Sequence, residues 1–174
     1  EQIRIRAVQQ VQAGESPEVV GKACSLGPVV HRSKWQCKTE ARMLARKAFA
    51  MHNWKEKCAI MVREQLAKRD IVDARVLAAM QNIPRHLFVP PSLQDEAYED
   101  RPLPLTDDQT ISQPYIIGKM IALAAIHETD RVLEVGTGSG YQTAIMATLA
   151  AETYSIEIRR DLLDHAALIL KELN

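Results

Sequence analysis

The sequence predicts an α/β fold, and three observations carry this prediction. A short β-branched run at 131–135 is followed directly by the glycine-rich stretch 136–140. An apolar, alanine-rich segment over 141–151 has the composition of a helix. A second strand over 153–157 ends on an acid, and an amphipathic helix over 162–173 follows it. This order is typical of the opening unit of α/β domains that bind nucleotide-type ligands.

Length and composition limit the classes of protein that this chain can represent. Its 174 residues are enough for one ordinary domain, and 47% hydrophobic residues exclude an intrinsically disordered chain. The longest apolar stretch, 115–126, contains Lys119 and is far shorter than the roughly 20 residues of a membrane helix. The first ten residues alternate arginine with apolar residues and do not resemble a secretory signal. We therefore expect a cytoplasmic monomer that does not interact with membranes.

Metal-binding patterns are missing from the sequence. The three cysteines, Cys24, Cys37 and Cys58, form no C-x-x-C pair, and the five histidines are scattered. We predict no metal site.

The formal net charge of zero conceals two regions of opposite charge. Residues 1–70 hold 14 basic and 7 acidic residues, a net of +7, and residues 71–174 carry a net of −7. Helices are predicted over 3–13, 16–25 and 36–50. Residues 1–35 resemble the start of the DNA-binding region of insertion-sequence transposases, which is a helix-turn-helix. This resemblance is carried by 11–20, Leu26-Gly27 and Trp35. A basic helical extension without a DNA role is the alternative.

The middle of the chain predicts helices separated by a long irregular segment. Met61, Val62 and Leu66 recur at helical spacing, and Asp73 can cap a helix that Pro84 ends. The proline-rich stretch 84–113 predicts an extended, looping segment. Pro114 then begins a helix that reaches about residue 126.

The glycine-rich stretch predicts a site for an adenosine-containing ligand. Glycine has no Cβ, so the backbone can turn sharply and approach a ligand closely. Glu157, 21 residues after Gly136, can accept both hydroxyls of a ribose. The pattern runs Glu134-x-Gly136-x-Gly138-x-Gly140, with Tyr141 where a dinucleotide-binding loop would have its last glycine. It favours S-adenosylmethionine-dependent methyltransferases over dinucleotide-binding enzymes.

The chain from about residue 53 resembles the protein-L-isoaspartate O-methyltransferases. Three parts of the sequence carry the resemblance. The first is 61–66, and the second is Ile83-Pro84-Arg85 together with 88–90 and 98–100. The third is Thr110-Ile111-Ser112-Gln113-Pro114-Tyr115 together with 132–142. The Thr110–Tyr115 segment is specific to this family, whereas the glycine pattern indicates only the broad class.

The resemblance implies transfer of a methyl group from S-adenosylmethionine to the α-carboxyl of L-isoaspartyl residues in damaged proteins or peptides. It implies no metal. The loop with Thr110 and Ile111 would lie over the cofactor, and Ser112 is the residue that the resemblance assigns to catalysis. The predicted cofactor-binding residues are Thr110, Ile111, Glu134, Gly136, Gly138, Gly140 and Glu157.

The sequence therefore predicts three regions. Residues 1–50 would be a basic helical extension, 51–125 the family's helical and looping N-terminal region, and 126–174 the start of its Rossmann-like cofactor domain. The expected fold is a Rossmann-like methyltransferase fold that is incomplete, because family members continue with further strands after position 174. Two alternatives remain: a DNA-binding module in residues 1–50, and an inactive fragment of a gene fusion.

Overall fold

The computed structural model describes residues 54–106 and 108–173, together with the residue pairs 3–4 and 29–30. The two pairs are short strands, β1 (Ile3–Arg4) and β2 (Val29–Val30), which run antiparallel. The helix predicted over 3–13 is therefore wrong at its first two residues, because backbone pairing with a distant segment replaces local helical bonds there. The other predictions for residues 1–50 lie outside the described residues.

The first predicted helix of the middle region is confirmed. Helix α1 (Trp54–Met61) continues directly into a π-helical turn (Val62–Ala67), in which Lys68 N donates to Arg63 O at 3.2 Å. Met61, Val62 and Leu66 are all buried, as their spacing predicted. The wider turn keeps the apolar face of this segment on the core.

Helix α2 (Ala74–Asn82) begins and ends where the sequence predicts. The Asp73 carboxylate accepts from the backbone N–H groups of Arg75 at 2.8 Å and Val76 at 3.4 Å. This satisfies two of the donors that a helix start leaves unpaired. The helix stops two residues before Pro84, because the residue before a proline is driven away from helical geometry.

The stretch after α2 is more ordered than the predicted looping segment. It forms two 3₁₀ turns (Arg85–Phe88 and Pro91–Glu96) and a small hairpin, in which β3 (Leu103–Pro104) pairs antiparallel with β4 (Thr110–Ile111). Short 3₁₀ turns tolerate prolines because few of their N–H groups need partners. Helix α3 (Pro114–Ala124) follows, and the residue that caps its end, Ala125, has a φ of 47°.

The predicted α/β unit is confirmed. Strand β5 (Arg131–Val135), helix α4 (Tyr141–Leu149), strand β6 (Glu152–Ile156) and helix α5 (Arg160–Glu172) follow in order. The two strands pair in parallel, with Arg131 opposite Glu152 and Val135 opposite Ile156. The second strand ends one residue earlier than predicted, so Glu157 directly follows it.

One hydrophobic core joins the N-terminal helices to the α/β unit. Its fully buried members come from both parts, and the largest apolar ones are Met61, Leu66, Ile71, Met80, Phe88, Leu103, Tyr141, Ile145, Leu170 and Leu173. One face of β5 is open, because Leu133 and Val135 are 62% and 70% exposed. Among the described helices, none has both the length and the apolar character needed to cross a bilayer.

Candidate active site

The site is built where the carboxyl ends of β5 and β6 lie side by side. Ile156 O, at the end of β6, accepts from the backbone N–H groups of Gly136 at 2.8 Å and Thr137 at 3.0 Å. The loop 136–140 is therefore held across the ends of both strands. It then enters α4, where Ala144 N donates to Gly140 O at 2.9 Å. This edge of a parallel sheet is where ligands bind in open α/β folds.

The three loop glycines share a backbone conformation but differ in their surroundings. All have positive φ, 93° at Gly136, 53° at Gly138 and 84° at Gly140, a region that side chains disfavour. A Cβ on Gly136 or Gly138 would meet no atom within 4 Å, whereas a Cβ on Gly140 would lie 3.1 Å from Ala166 Cβ. The first two glycines thus leave open space beside the backbone, and the third allows close packing of the loop on α5.

The Glu157 carboxylate lies beside the open glycines. Its Oε2 accepts from Gly138 N at 2.9 Å, and its Oε1 accepts from Arg159 N at 3.0 Å. A carboxylate has about four acceptor positions, so both oxygens retain capacity for a further hydroxyl donor. Glu157 is only partly buried. Its position fits the predicted role as an acceptor for two ribose hydroxyls.

The Glu134 carboxylate lies beneath the loop and not on its open side. The residue is 6% exposed, and its Oε2 accepts from the hydroxyls of Ser155, at 2.6 Å, and Thr143. Thr137 Oγ1 and Ser155 Oγ are a further hydrogen-bonded pair at 2.6 Å. Burial raises the pKa of Glu134 to about 7, while the bonds from Ser155 and Thr143 act in the opposite direction. Glu134 therefore links β5 to β6 and α4.

The Thr110–Ser112 segment places two of its three side chains outward. Thr110 and Ser112 are exposed, whereas Ile111 is 3% exposed and belongs to the core. Any contact of Ile111 with a ligand would therefore come from its backbone. The hairpin tip is tied toward Glu157, because the Arg159 guanidinium donates to the Asp108 carboxylate and to Thr106 Oγ1, the latter at 3.4 Å.

One buried arginine connects this segment to the glycine-rich loop. Arg85 Nη2 donates to Ser112 O at 2.7 Å, and the guanidinium carbon lies 4.9 Å from the centroid of the Tyr141 ring. Tyr141 is the first residue of α4. The structure thus brings together the two motifs that the sequence singled out, although 23 residues separate Ser112 from Gly136 along the chain.

Sequence reasoning missed Arg85, Tyr141 and Arg159 as parts of this arrangement. Arg85 lies within the family-like segment, where its charge stands among the apolar residues Ile83, Leu87 and Phe88. That context is a signal for a buried charge, but it does not indicate the partners. No local signal in the sequence connects Arg159 to Asp108.

The sequence from residue 56 onward decides which family the chain represents. Residues 56–174 match the model of the protein-L-isoaspartate(D-aspartate) O-methyltransferase family. The chain belongs to this family. The family resemblance found in the sequence is thereby confirmed over the region that contains the glycine-rich loop, Glu157 and the Ser112 segment.

Curated isoaspartate methyltransferases from several organisms are similar to this chain. A protein-L-isoaspartate O-methyltransferase of Opitutus terrae is 54% identical over 112 residues, which cover 64% of this chain and 48% of that protein. One from Methanoculleus marisnigri is 58% identical over 106 residues, covering 61% and 48% respectively. The chain spans about half the length of the curated relatives that it matches.

Solved structures of isoaspartate methyltransferases share the fold. One, described as a protein-L-isoaspartate O-methyltransferase, aligns with a TM-score of 0.57 at 27% identity and covers 68% of this chain and 38% of its own. Another, from Plasmodium falciparum and in complex with S-adenosyl-L-homocysteine, aligns with a TM-score of 0.56 at 22% identity, covering 66% and 55%. The Rossmann-like α/β fold class is therefore confirmed. Within residues 54–106 and 108–173, no group of three or more metal-ligating side chains occurs.

Proposed function

We propose that this chain transfers a methyl group from S-adenosylmethionine to the α-carboxyl of L-isoaspartyl residues in damaged proteins and peptides. The arrangement of the site supports this most strongly. Gly136 and Gly138 leave open space near the Glu157 carboxylate. Arg85 connects α4 to the family-specific Ser112 segment. A cytoplasmic location and a monomeric state remain predictions from the sequence.

The residues at the strand ends fit an adenosine-containing cofactor. The backbone at Gly136 and Gly138 can be approached closely because neither position carries a Cβ. Glu157 retains acceptor capacity for the ribose hydroxyls on both oxygens. These residues would hold S-adenosylmethionine, which supplies when bound a methyl carbon activated by its positively charged sulfur.

The transfer requires little chemistry from the protein itself. A substrate carboxylate is already ionised at neutral pH, so it needs no general base. The exposed Ser112 hydroxyl would donate to that carboxylate and orient it, while a carboxylate oxygen takes the methyl group and S-adenosylhomocysteine leaves. Alignment and exclusion of water are the remaining contributions. Ser112 is suited to this task because its own carbonyl is held by Arg85.

Calorimetric titration of the full chain with S-adenosylhomocysteine tests the cofactor site. We expect Glu157→Ala to weaken binding by tenfold or more, because hydrogen bonds to a charged group contribute about 1.5–3 kcal/mol each. The exposed Glu172 provides a matched control, and Glu172→Ala should leave the affinity unchanged. A full chain that binds no ligand at millimolar concentration would contradict the proposal.

Methylation of an isoaspartyl peptide tests the substrate side. We expect Ser112→Ala to lower the rate by about tenfold or more, because one donor to the reacting carboxylate is lost. Its affinity for S-adenosylhomocysteine should stay within threefold of the unsubstituted chain. Ser92→Ala, at another exposed serine, should change neither quantity. Equal rates for Ser112→Ala and the unsubstituted chain would remove Ser112 from the mechanism.

A further inference from the structure

Arg85 is a buried cation without an acidic partner. Its side chain has no exposed surface, and no carboxylate of the described residues forms an ion pair with it. Its Nε donates to Ala97 O and its Nη2 to Ser112 O, both at 2.7 Å, while Nη1 has no partner among the described residues. Buried arginines are normally paired, because taking a charge out of water is costly.

The charge of Arg85 survives its burial. Removal from water lowers the pKa of the guanidinium to about 10, which still leaves it protonated at neutral pH. Apolar side chains of similar volume often replace buried charges with no loss of stability. The two carbonyl bonds and the ring contact are therefore the specific interactions that an apolar residue at this position could not make.

The partners of Arg85 belong to three separate segments. Ala97 follows the second 3₁₀ turn, Ser112 follows β4, and Tyr141 begins α4 directly after Gly140. The Tyr141 ring also packs edge-on against Phe88, with centroids 5.4 Å apart. A planar guanidinium can bond two carbonyls in its plane while its face rests on an aromatic ring. A lysine ammonium at this position lacks both the plane and the fork.

We propose that Arg85 is a positioning residue that sets the Ser112 segment at a fixed distance from the start of α4, and so aligns the substrate site with the cofactor site. The consequence for methyl transfer rests on the proposed function. The positioning itself is a property of the chain without ligand, and it can be measured separately.

Hydrogen exchange of the full chain, read by mass spectrometry on peptides covering 109–114, tests the positioning. We expect Arg85→Lys to speed exchange there by tenfold or more, with α2 and β5 within twofold of the unsubstituted chain. Arg75→Lys, at an exposed arginine on α2, is the matched control and should leave exchange unchanged in 109–114, in α2 and in β5. Unchanged exchange over 109–114 would overturn the proposal. Equal acceleration in all regions would do so too, because it would show a purely structural role.

A second variant covers the case in which Arg85→Lys does not fold. Ile111→Ala loosens the same segment from its core side and leaves Arg85 in place. If the Ser112 segment and the Arg85 side chain are coupled, the Arg85 guanidinium protons of this variant, observed by NMR, should exchange with water at least tenfold faster than in the unsubstituted chain. Guanidinium exchange at the original rate would overturn the coupling.

Kinetics separate this proposal from the proposed function. For Arg85→Lys we expect the KM for an isoaspartyl peptide to rise by fivefold or more, with the Kd for S-adenosylhomocysteine within threefold. If the KM for the peptide and the Kd for S-adenosylhomocysteine rise by the same factor, the positioning role is overturned. If the unsubstituted chain neither binds S-adenosylhomocysteine nor methylates the peptide, the proposed function fails, while the exchange measurements still decide whether Arg85 positions the segment.

Discussion

Glu134 is a buried residue that the sequence pattern assigns to the cofactor site. The glycine pattern, which this acid begins, predicts that Glu134 is one of the cofactor-binding residues. In the structure the residue is 6% exposed, and its carboxylate accepts hydrogen bonds from hydroxyl groups on β6 and α4. Its contribution at the residue scale is to join the three elements on which the loop rests.

The raised pKa of Glu134 predicts that this group makes stability fall as pH rises. In the folded chain its pKa is about 7, against 4.5 as the ordinary value, so the folded state binds more protons between these two pH values. The penalty is absent below about pH 4.5 and complete above about pH 7. It amounts to on the order of 3 kcal/mol, at about 1.4 kcal/mol for each pKa unit.

The substitution Glu134→Gln isolates this effect. We expect the free energy of unfolding of the variant, minus that of the unsubstituted chain, to increase by on the order of 3 kcal/mol from pH 4.5 to pH 7. Urea unfolding at several pH values measures it. Glu172→Gln, at an exposed acid, is the control and should show little of this trend. A difference for Glu134→Gln that does not vary with pH would contradict the buried, pH-sensitive carboxylate.

At the scale of elements, the glycine-rich loop packs closely against α5 at one glycine, Gly140. Gly140 has a φ of 84°, and its missing Cβ leaves room for Ala166 on α5. Gly136 has a similar φ of 93° but faces open space. The two positions therefore separate the cost of backbone strain from the cost of overpacking.

We expect Gly140→Ala to lower the free energy of unfolding by about 2–4 kcal/mol, from left-handed strain and from overpacking together. Gly136→Ala, the matched control, should cost about 1–2 kcal/mol because it adds strain alone. Chemical denaturation of both variants measures the difference. In a double-mutant cycle, Ala166→Gly should recover part of the loss at Gly140. Additive effects of the two substitutions would refute the predicted contact.

The opposite charges of the two regions matter at the scale of the whole molecule. Every candidate cofactor and substrate residue lies between Thr110 and Glu157, while residues 1–50 hold 9 basic and 4 acidic residues, a net of +5. The described core also lies within residues 58–173. The basic region and the site are therefore separable by experiment.

We expect a chain that begins at Met51 to bind S-adenosylhomocysteine with the Kd of the full chain, within about twofold. The reason is that the candidate site residues, and every buried residue of the described core, follow position 51. Calorimetry on both chains makes the measurement. A tenfold loss of affinity on removing residues 1–50 would show that this region supports the site.

The same two chains test the alternative of DNA binding. Salt-dependent retention on DNA of the full chain, lost in the shorter chain and on neutralising Lys34, Lys38, Arg42 and Arg46, would support a nucleic-acid role for residues 1–50. Retention that does not depend on salt would exclude it.

Local patterns in the sequence were sufficient for the order of helices α1 to α5 and of strands β5 and β6, and for the family. Hydrophobic spacing, the Asp73 cap and the glycines after β5 act over a few residues, so a single sequence displays them. The irregular stretch 84–113 was predicted less well. Its turns and hairpin depend on packing against distant segments, such as the carbonyl bonds that Arg85 forms with Ala97 and Ser112.

The sequence by itself determined that a strand, a glycine-rich loop and an acid at the end of a second strand form an α/β unit of the isoaspartate methyltransferase family. Only the tertiary structure decided which glycines face open space, why Glu134 is buried, and that Arg85 joins the Ser112 segment to α4. The physical reason is that these roles depend on distances between side chains far apart in the chain. Such distances arise only when the core packs.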